Sequence, residues 1–337
     1  MAKKAPKKKK RTTLPQSLKS SETSNTQKIK GSDEYDSPQP FSRFDVERLN
    51  RFLVQLIKSN EVKDPEELNY LIEKTLTFET WEEIFDSVEF SDIEIAQELA
   101  YQAMESRDRK EALRLANEAL KLDPDCIDAL VMKAVVEAKS VSKLIEKLKK
   151  IIAKAEKNFG PDYFKGRERD FCAIVESKPY MRALRMLILF LRAEGRVGES
   201  VLVAERMLDL NPRDIEGIRY TLLGLYLETG NLAGAQRLFR EYPDEDGAVF
   251  NWGQILERYL AGDMEKAAMV LKKAISQNPY VLDYLIGRKR VPNEIFDDNR
   301  VDEESEAIEC WQELGVAWES YPDALKWLKS FAQEAGW

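Results

Sequence analysis

Three stretches of this chain close in the same way. Residues 93–124, 181–212 and 248–279 each end on Asp-Pro or Asn-Pro after a run of small and apolar residues whose spacing persists from copy to copy. The first carries Ala96, Leu99, Ala100 and Ala103, a break near Arg107 and Asp108, then Ala112, Ala116 and Ala119 before Asp123-Pro124. The second places Leu184, Leu187, Gly195, Ala204 and Pro212 in register, and the third Gly262, Ala267, Leu271, Ala274 and Pro279. Apolar residues three and four apart mark one face of a helix, and a proline ends the helix it follows. Small residues on both halves of each unit let two antiparallel helices approach closely. Pro212 and Pro279 lie 67 residues apart, which leaves room for one slightly shortened unit, and "YTLLGLYLETGNLAGAQRLFREYP" supplies it with Gly230-Asn231 at its turn. A unit of this kind cannot bury its apolar face alone, so it must stack on its neighbours.

This is the tetratricopeptide pattern, whose repeat is about 34 residues of helix, turn and helix. The fold expected is all-α: a TPR-like α-solenoid of helix-turn-helix repeats over 91–279, an N-terminal helical extension and a C-terminal helical cap. The extension over 41–90 is signalled by a capping box at Ser42 and Asp45, by Phe44, Leu49, Phe52, Leu53 and Leu56 at helical spacing, and by Asp64-Pro65 opening a second helix. Thr80 with Glu83 and Ser91 with Glu94 mark two further helix starts, so 41–105 reads as four helices. Residues 125–180 leave the register; "SKLIEKLKKIIAKAEKNFG" is an amphipathic helix stopped at Gly160-Pro161, and the segment reads as a degenerate repeat plus one inserted helix. The cap, 280–337, opens with Val281, Leu282, Leu285 and Ile286 as one buried stripe. Gly287 ends that helix, and the basic run Arg288, Lys289 and Arg290 favours its negative C-terminal end. Ile308, Trp311, Leu314 and Trp318 then mark one helix, and Leu325, Leu328 and Phe331 another after Pro322.

Several stretches carry a family resemblance: "AQELAYQAMES", "EALKLDPDCIDAL", "SKPYMRAL", "LNPRDIEGIRYTLLGLYLETG" and "NPYVLDYLIGRKRVP". Together they look like a bacterial tetratricopeptide-repeat family whose C-terminal part is similar to the suppression-of-tumorigenicity-seven family of animals. In that family an Asn-Pro-His-Val-Pro-x-Tyr-Leu-Leu stretch follows the last repeat. Here it stands as Asn278 to Ile286, with Tyr280 in place of the histidine and Leu282 in place of the second proline. The resemblance implies an architecture; it implies no reaction.

Composition removes several function classes. The 337 residues contain no histidine, which takes away the usual general base and the commonest metal ligand. Cys126, Cys172 and Cys310 are far apart and odd in number, so neither a disulfide framework nor a CxxC metal site is expected, and a reducing compartment fits. The longest apolar run, Met186 to Leu191, falls far short of the roughly 20 residues that span a bilayer. No aspartate-rich calcium loop occurs; "DDNRVDEESEAIE" reads as a solvated linker and helix start. The expectation is a cytoplasmic, non-enzymatic protein with no cofactor, no metal and no transmembrane segment.

Charge is uneven. Residues 1–40 carry ten Lys/Arg against four Asp/Glu, which leaves the other 297 residues at −14 within a total of −8. The tail, "MAKKAPKKKKR" onward, is poor in large apolar residues and reads as disordered. It admits four readings: attraction to nucleic-acid phosphates, an import signal, adhesion to anionic lipid, or solubilisation.

In tetratricopeptide solenoids the first helix of each pair lines the concave groove. In this register that face presents Arg182, Arg185 and Arg192 from one repeat, Trp252 and Tyr259 from another, and Tyr220 between them. Arginine forks and rigid aromatics suit an acidic or extended protein segment. Set against this is the plain alternative that the arginines form a solvated face and the aromatics pack between repeats. Leu189 stands where carboxylate-clamp members have asparagine, which argues against capture of a chaperone C-terminus. The leading functional expectation is a protein-interaction scaffold; the alternative is a nucleic-acid- or ribosome-associated factor that uses the basic tail.

Overall fold

Helical hairpins closed by the repeated turn sequences account for most of the architecture. The computed structural model describes residues 44–60, 66, 67, 69, 70, 73, 90–165, 171, 174–291 and 302–334. The basic tail and the helix starts expected at Ser42, Asp64-Pro65 and Thr80 lie outside them. The described residues form fifteen α-helices and no strand. Their contacts divide the chain into two units, 1–137 and 138–337, and the division falls inside the segment where the sequence loses its register.

The first unit holds α1 (Asp45–Asn60), α2 (Asp92–Glu105), α3 (Arg109–Leu122) and α4 (Ile127–Glu137). Ser91 caps α2 by accepting from the Glu94 amide, as its spacing requires, and Asp108 caps α3 through Lys110 N. The small residues form the contact: Ala96, Ala100 and Ala103 of α2 meet Ala116 and Ala119 of α3 and Ala129 of α4 in one fully buried cluster. Arg48 joins α1 to α2 through Glu98 (2.9 Å) and Glu105 (2.8 Å), beside the Phe44–Tyr101 stack at 4.8 Å.

The second unit begins with α5 (Val141–Phe159) and the short α6 (Pro161–Phe164), then α7 (Lys178–Ala193) and α8 (Val197–Leu210). It continues with α9 (Ile218–Glu228), α10 (Leu232–Glu241), α11 (Ala248–Leu260) and α12 (Met264–Gln277), and closes with α13 (Tyr280–Leu285), α14 (Glu303–Glu319) and α15 (Pro322–Glu334). Three consecutive pairs, α7/α8, α9/α10 and α11/α12, are joined by three-residue turns of one design. In the first, Gly195 at φ 72° gives Gly195 N to Arg192 O and Arg196 N to Leu191 O, the two bonds of a Schellman cap; Gly230 and Gly262 repeat both. Each hairpin touches the next, through α8 on α9 and α10 on α11. Ser200 of α8 sits where the other units have alanine, and its hydroxyl donates to Ile188 O of α7 at 2.9 Å, so the close approach survives a polar residue.

Candidate functional site

Helices α9 and α11, the first members of their hairpins, share a face, and the chain's own α14 lies on it, packed against both. α14 is acidic, "EESEAIECWQELGVAWE", and starts at Asp302, whose carboxylate accepts from Ser305 N at 2.8 Å. The residues it buries are Ala307, Cys310, Leu314, Gly315, Ala317 and Trp318. The expected stripe was partly different: Leu314 and Trp318 are fully buried, whereas Ile308 and Trp311 are only half-buried. Small residues set this surface because the backbones come close. A Cβ placed on Gly224 of α9 would stand 2.3 Å from Glu313 O, so only glycine fits there.

Several of the expected groove residues meet this helix. Arg192 donates from Nε to Glu228 Oε2 at 2.9 Å and from Nη2 to Glu313 O at 3.1 Å. Thr221 Oγ1 donates to Glu313 Oε1 at 3.1 Å. Burial pushes the Glu313 carboxyl above its ordinary pKa, against the opposing pull of Thr221, Arg185 and Arg192. Trp252 is fully buried, its ring edge-on to Trp318 at 6.4 Å, and Tyr259 lies against Trp327 of α15 at 5.3 Å. Three of the six, Arg192, Trp252 and Tyr259, are thus brought together under the C-terminal helices of the same chain.

The other three are placed differently. Arg185 donates to Glu216 O at 2.8 Å and lies close enough to Glu313 to lower its pKa. Arg182 is half-buried with contacts inside the chain. On the same helix Leu189 is 53 % exposed, so α7 retains an open apolar position between its arginines. Tyr220 belongs to a separate network, in which Arg219 donates to Tyr220 Oη (2.7 Å), Glu245 (2.8 Å) and Asp214 (3.0 Å), and Tyr220 donates to Glu245 at 2.9 Å. Burial and the Glu245 bond push the Tyr220 phenol up to about 12. Asp214 also caps α9 by accepting from Ile218 N (2.7 Å) and Arg219 N (2.9 Å), so this network is a helix-start device.

Sequence reasoning missed the residues that seat α14. Glu306 accepts from Ala248 N at 2.9 Å, which caps α11 from outside because Gly247 has no side chain to do it. Asn278 Nδ2 bonds Glu306 Oε2 (2.8 Å) and Glu303 O (2.7 Å), and Tyr321 Oη donates to Leu227 O at 3.0 Å. Only Asn278 carries a sequence signal, through the repeated Asn-Pro; Glu306 lies in the run that reads as a solvated linker and helix start, and the helix does start there, at Glu303, but nothing in the run marks Glu306 as a seat for another helix.

Among the described residues no group of three His, Cys, Asp or Glu side chains could hold a metal ion, and no helix is long and apolar enough to cross a membrane. Compared with the models of known protein families and with curated proteins, the sequence gives no match.

Proposed function

We propose that this protein is a TPR-like helical-repeat scaffold whose first-helix face takes acidic, amphipathic protein segments. The observation that carries this reading is α14. An acidic helix is already seated on α9 and α11 through an arginine, a threonine, a glycine and a buried tryptophan. The same face continues onto α7, which carries Arg182, Arg185 and the exposed Leu189 on one side at spacings of three and four. An outside partner would extend the contact along α7, with carboxylates on the arginines and an apolar anchor on Leu189. The resemblance to the suppression-of-tumorigenicity-seven family supports the repeat architecture and adds no reaction to it. The cysteine pattern supports a reducing compartment, and we place the protein in the cytoplasm.

The test is site-specific photocrosslinking in the native host, with a benzophenone residue at position 189 and a control at Met269, which is 66 % exposed on α12. The expected result is one protein adduct at 189, absent at 269 and lost when Arg182 and Arg185 are changed to glutamate. Identical adducts at both positions, or an adduct indifferent to the arginines, overturns the reading.

A further inference from the structure

We infer that two copies of this chain associate through the surface between α7 and α14, about a two-fold axis that runs along those helices. Given the reading of the first-helix face as a seat for acidic helices, on which this rests, the occupant of its α7 side is α14 of a second copy.

Hydrogen bonds fix the layout. Arg185 of α7 reaches Glu216 O just ahead of α9, and Arg192 reaches Glu228 at its end, so α7 and α9 run in one direction. α14 runs the same way, since Thr221 bonds Glu313 and Leu227 O bonds Tyr321 just past its end. Arg192 donates to Glu313 O, and Arg185 lies close enough to pull on the Glu313 carboxyl. Leu189 stands between those two arginines and is therefore level with Glu313. Val316 follows Glu313 on the next turn of α14. Leu189 is 53 % exposed and Val316 46 %. Aliphatic residues scattered singly over a surface need no explanation. These two flank one hydrogen bond, from either side of the seam it closes.

The charges beside them are sorted by helix. On the α7 side Arg185 gives one N–H to a backbone carbonyl, and among the described residues it pairs with no carboxylate. Arg182 has contacts within the chain. On the α14 side Glu309, one turn before Glu313, is exposed, and among the described residues its side chain has no ion pair or hydrogen bond. Glu304 and Glu306 of the same helix are engaged, by Lys289 and by Asn278.

A surface with an arginine on one side, a glutamate on the other and an apolar pair between them is its own complement. Half a turn about an axis along the helices lays α7 of one copy over α14 of the other, in the same direction and at the same level. Arg185 then meets the partner's Glu309, and Leu189 meets the partner's Val316, each contact being made twice. A foreign helix would have to bring the acid and the apolar group at that spacing; a second copy holds both. The interface is small, so the dimer forms at about 10–50 µM and the dilute chain is monomeric.

Sedimentation velocity on the full chain, from about 1 to 200 µM to bracket that range, is the test. Wild type should pass from monomer to dimer. Arg185→Glu and Glu309→Arg should each weaken dimerisation at least tenfold, because each sets like charges together twice. Mixed in equal amounts, the two variants should form a heterodimer as tight as the wild-type dimer, since every contact is then opposite in sign. Leu189→Asp should weaken the dimer as well, and circular dichroism verifies the fold of each variant. Glu309 and Leu189 are exposed, so those two changes read the interface even where Arg185→Glu fails to fold. A wild type that stays monomeric throughout overturns the inference. So does a dimer indifferent to Glu309→Arg and Leu189→Asp, or folded variants that do not associate when mixed. The benzophenone at position 189 separates this from the reading beneath it: an arginine-dependent adduct with another protein, from a chain that is monomeric when pure, overturns the dimer and leaves the acidic-helix seat standing.

Discussion

Gly224 and Gly198 make a matched pair of tests at the scale of one residue. Both lie inside helices, yet an added methyl group at 224 meets Glu313 O at 2.3 Å whereas at 198 it meets nothing within 4 Å. Gly224→Ala should therefore destabilise by about 1–3 kcal/mol through overpacking against α14. Gly198→Ala should be neutral or stabilise by up to about 1 kcal/mol, the helix-propensity difference. Urea denaturation of both variants checks this, and equal effects would mean that α14 does not sit on α9. Glu313 gives a second test because burial raises its folded pKa above the ordinary 4.5. A carboxyl group raised in this way holds its proton more tightly when folded, so its contribution favours folding at acid pH and is lost as pH rises through the folded value. Glu313→Gln keeps an acceptor for Thr221 and removes the charge. Its melting temperature relative to wild type should improve as pH rises from 4.5 toward the raised folded value and level off above it; a pH-independent difference would show that the carboxylate is not held in the buried environment.

At the scale of the element, the hairpins could be read from sequence because their signals are local. Gly195, Gly230 and Gly262 sit where the left-handed turn residue belongs, and proline or asparagine-proline closes each second helix. The seat of α14 could not be read in the same way. Its buried stripe uses Ala307, Cys310 and Ala317, residues that weigh little in an apolar pattern but permit close approach, while the conspicuous Trp311 packs over Gly315 of its own helix. Nor can a period reveal that Glu306 caps a helix more than fifty residues upstream, since that pairing exists only after α14 has docked. Glu306→Ala should cost about 1 kcal/mol, the scale of a lost N-cap, and Glu306→Gln should recover most of it. Thermal denaturation of the two distinguishes a cap from a mere solvated acid, for which both changes would be silent. The basic run after α13 has a local role of the same type: Lys289 pairs with Glu304 at 2.7 Å and lies over the Tyr280 ring at 4.2 Å, and Arg288 pairs with Asp283 at 3.4 Å. These are exposed ion pairs, so neutralising the run should leave the melting curve nearly unchanged.

For the whole molecule, the question is whether the C-terminal helices merely cover the last hairpin or complete the second unit from within. The contacts favour completion, because α14 spans α9 and α11 and buries Trp318 against Trp252, and a buried tryptophan alone is worth about 3–5 kcal/mol against alanine. A chain ending at Val291 keeps every hairpin and α13 but bares Trp252, Thr221 and Gly224 together. That chain should lose at least this much stability and self-associate through the uncovered face. Residues 302–334 supplied as a separate peptide should then bind in trans and reverse both effects. At a concentration of 100 Kd the linkage stabilises by about 2.7 kcal/mol, which for a unit of this size raises the melting temperature by about 5–10 °C. The same peptide carrying Trp318→Ala should fail to do so, since it lacks the anchor. A truncated chain that stays monomeric, melts with wild type and ignores the peptide would show that α14 adds nothing to this face, and the proposed preference for acidic amphipathic helices would fall with it. Rescue by the peptide would instead show that the face accepts such a helix from outside the chain, which is the property a scaffold of this kind requires.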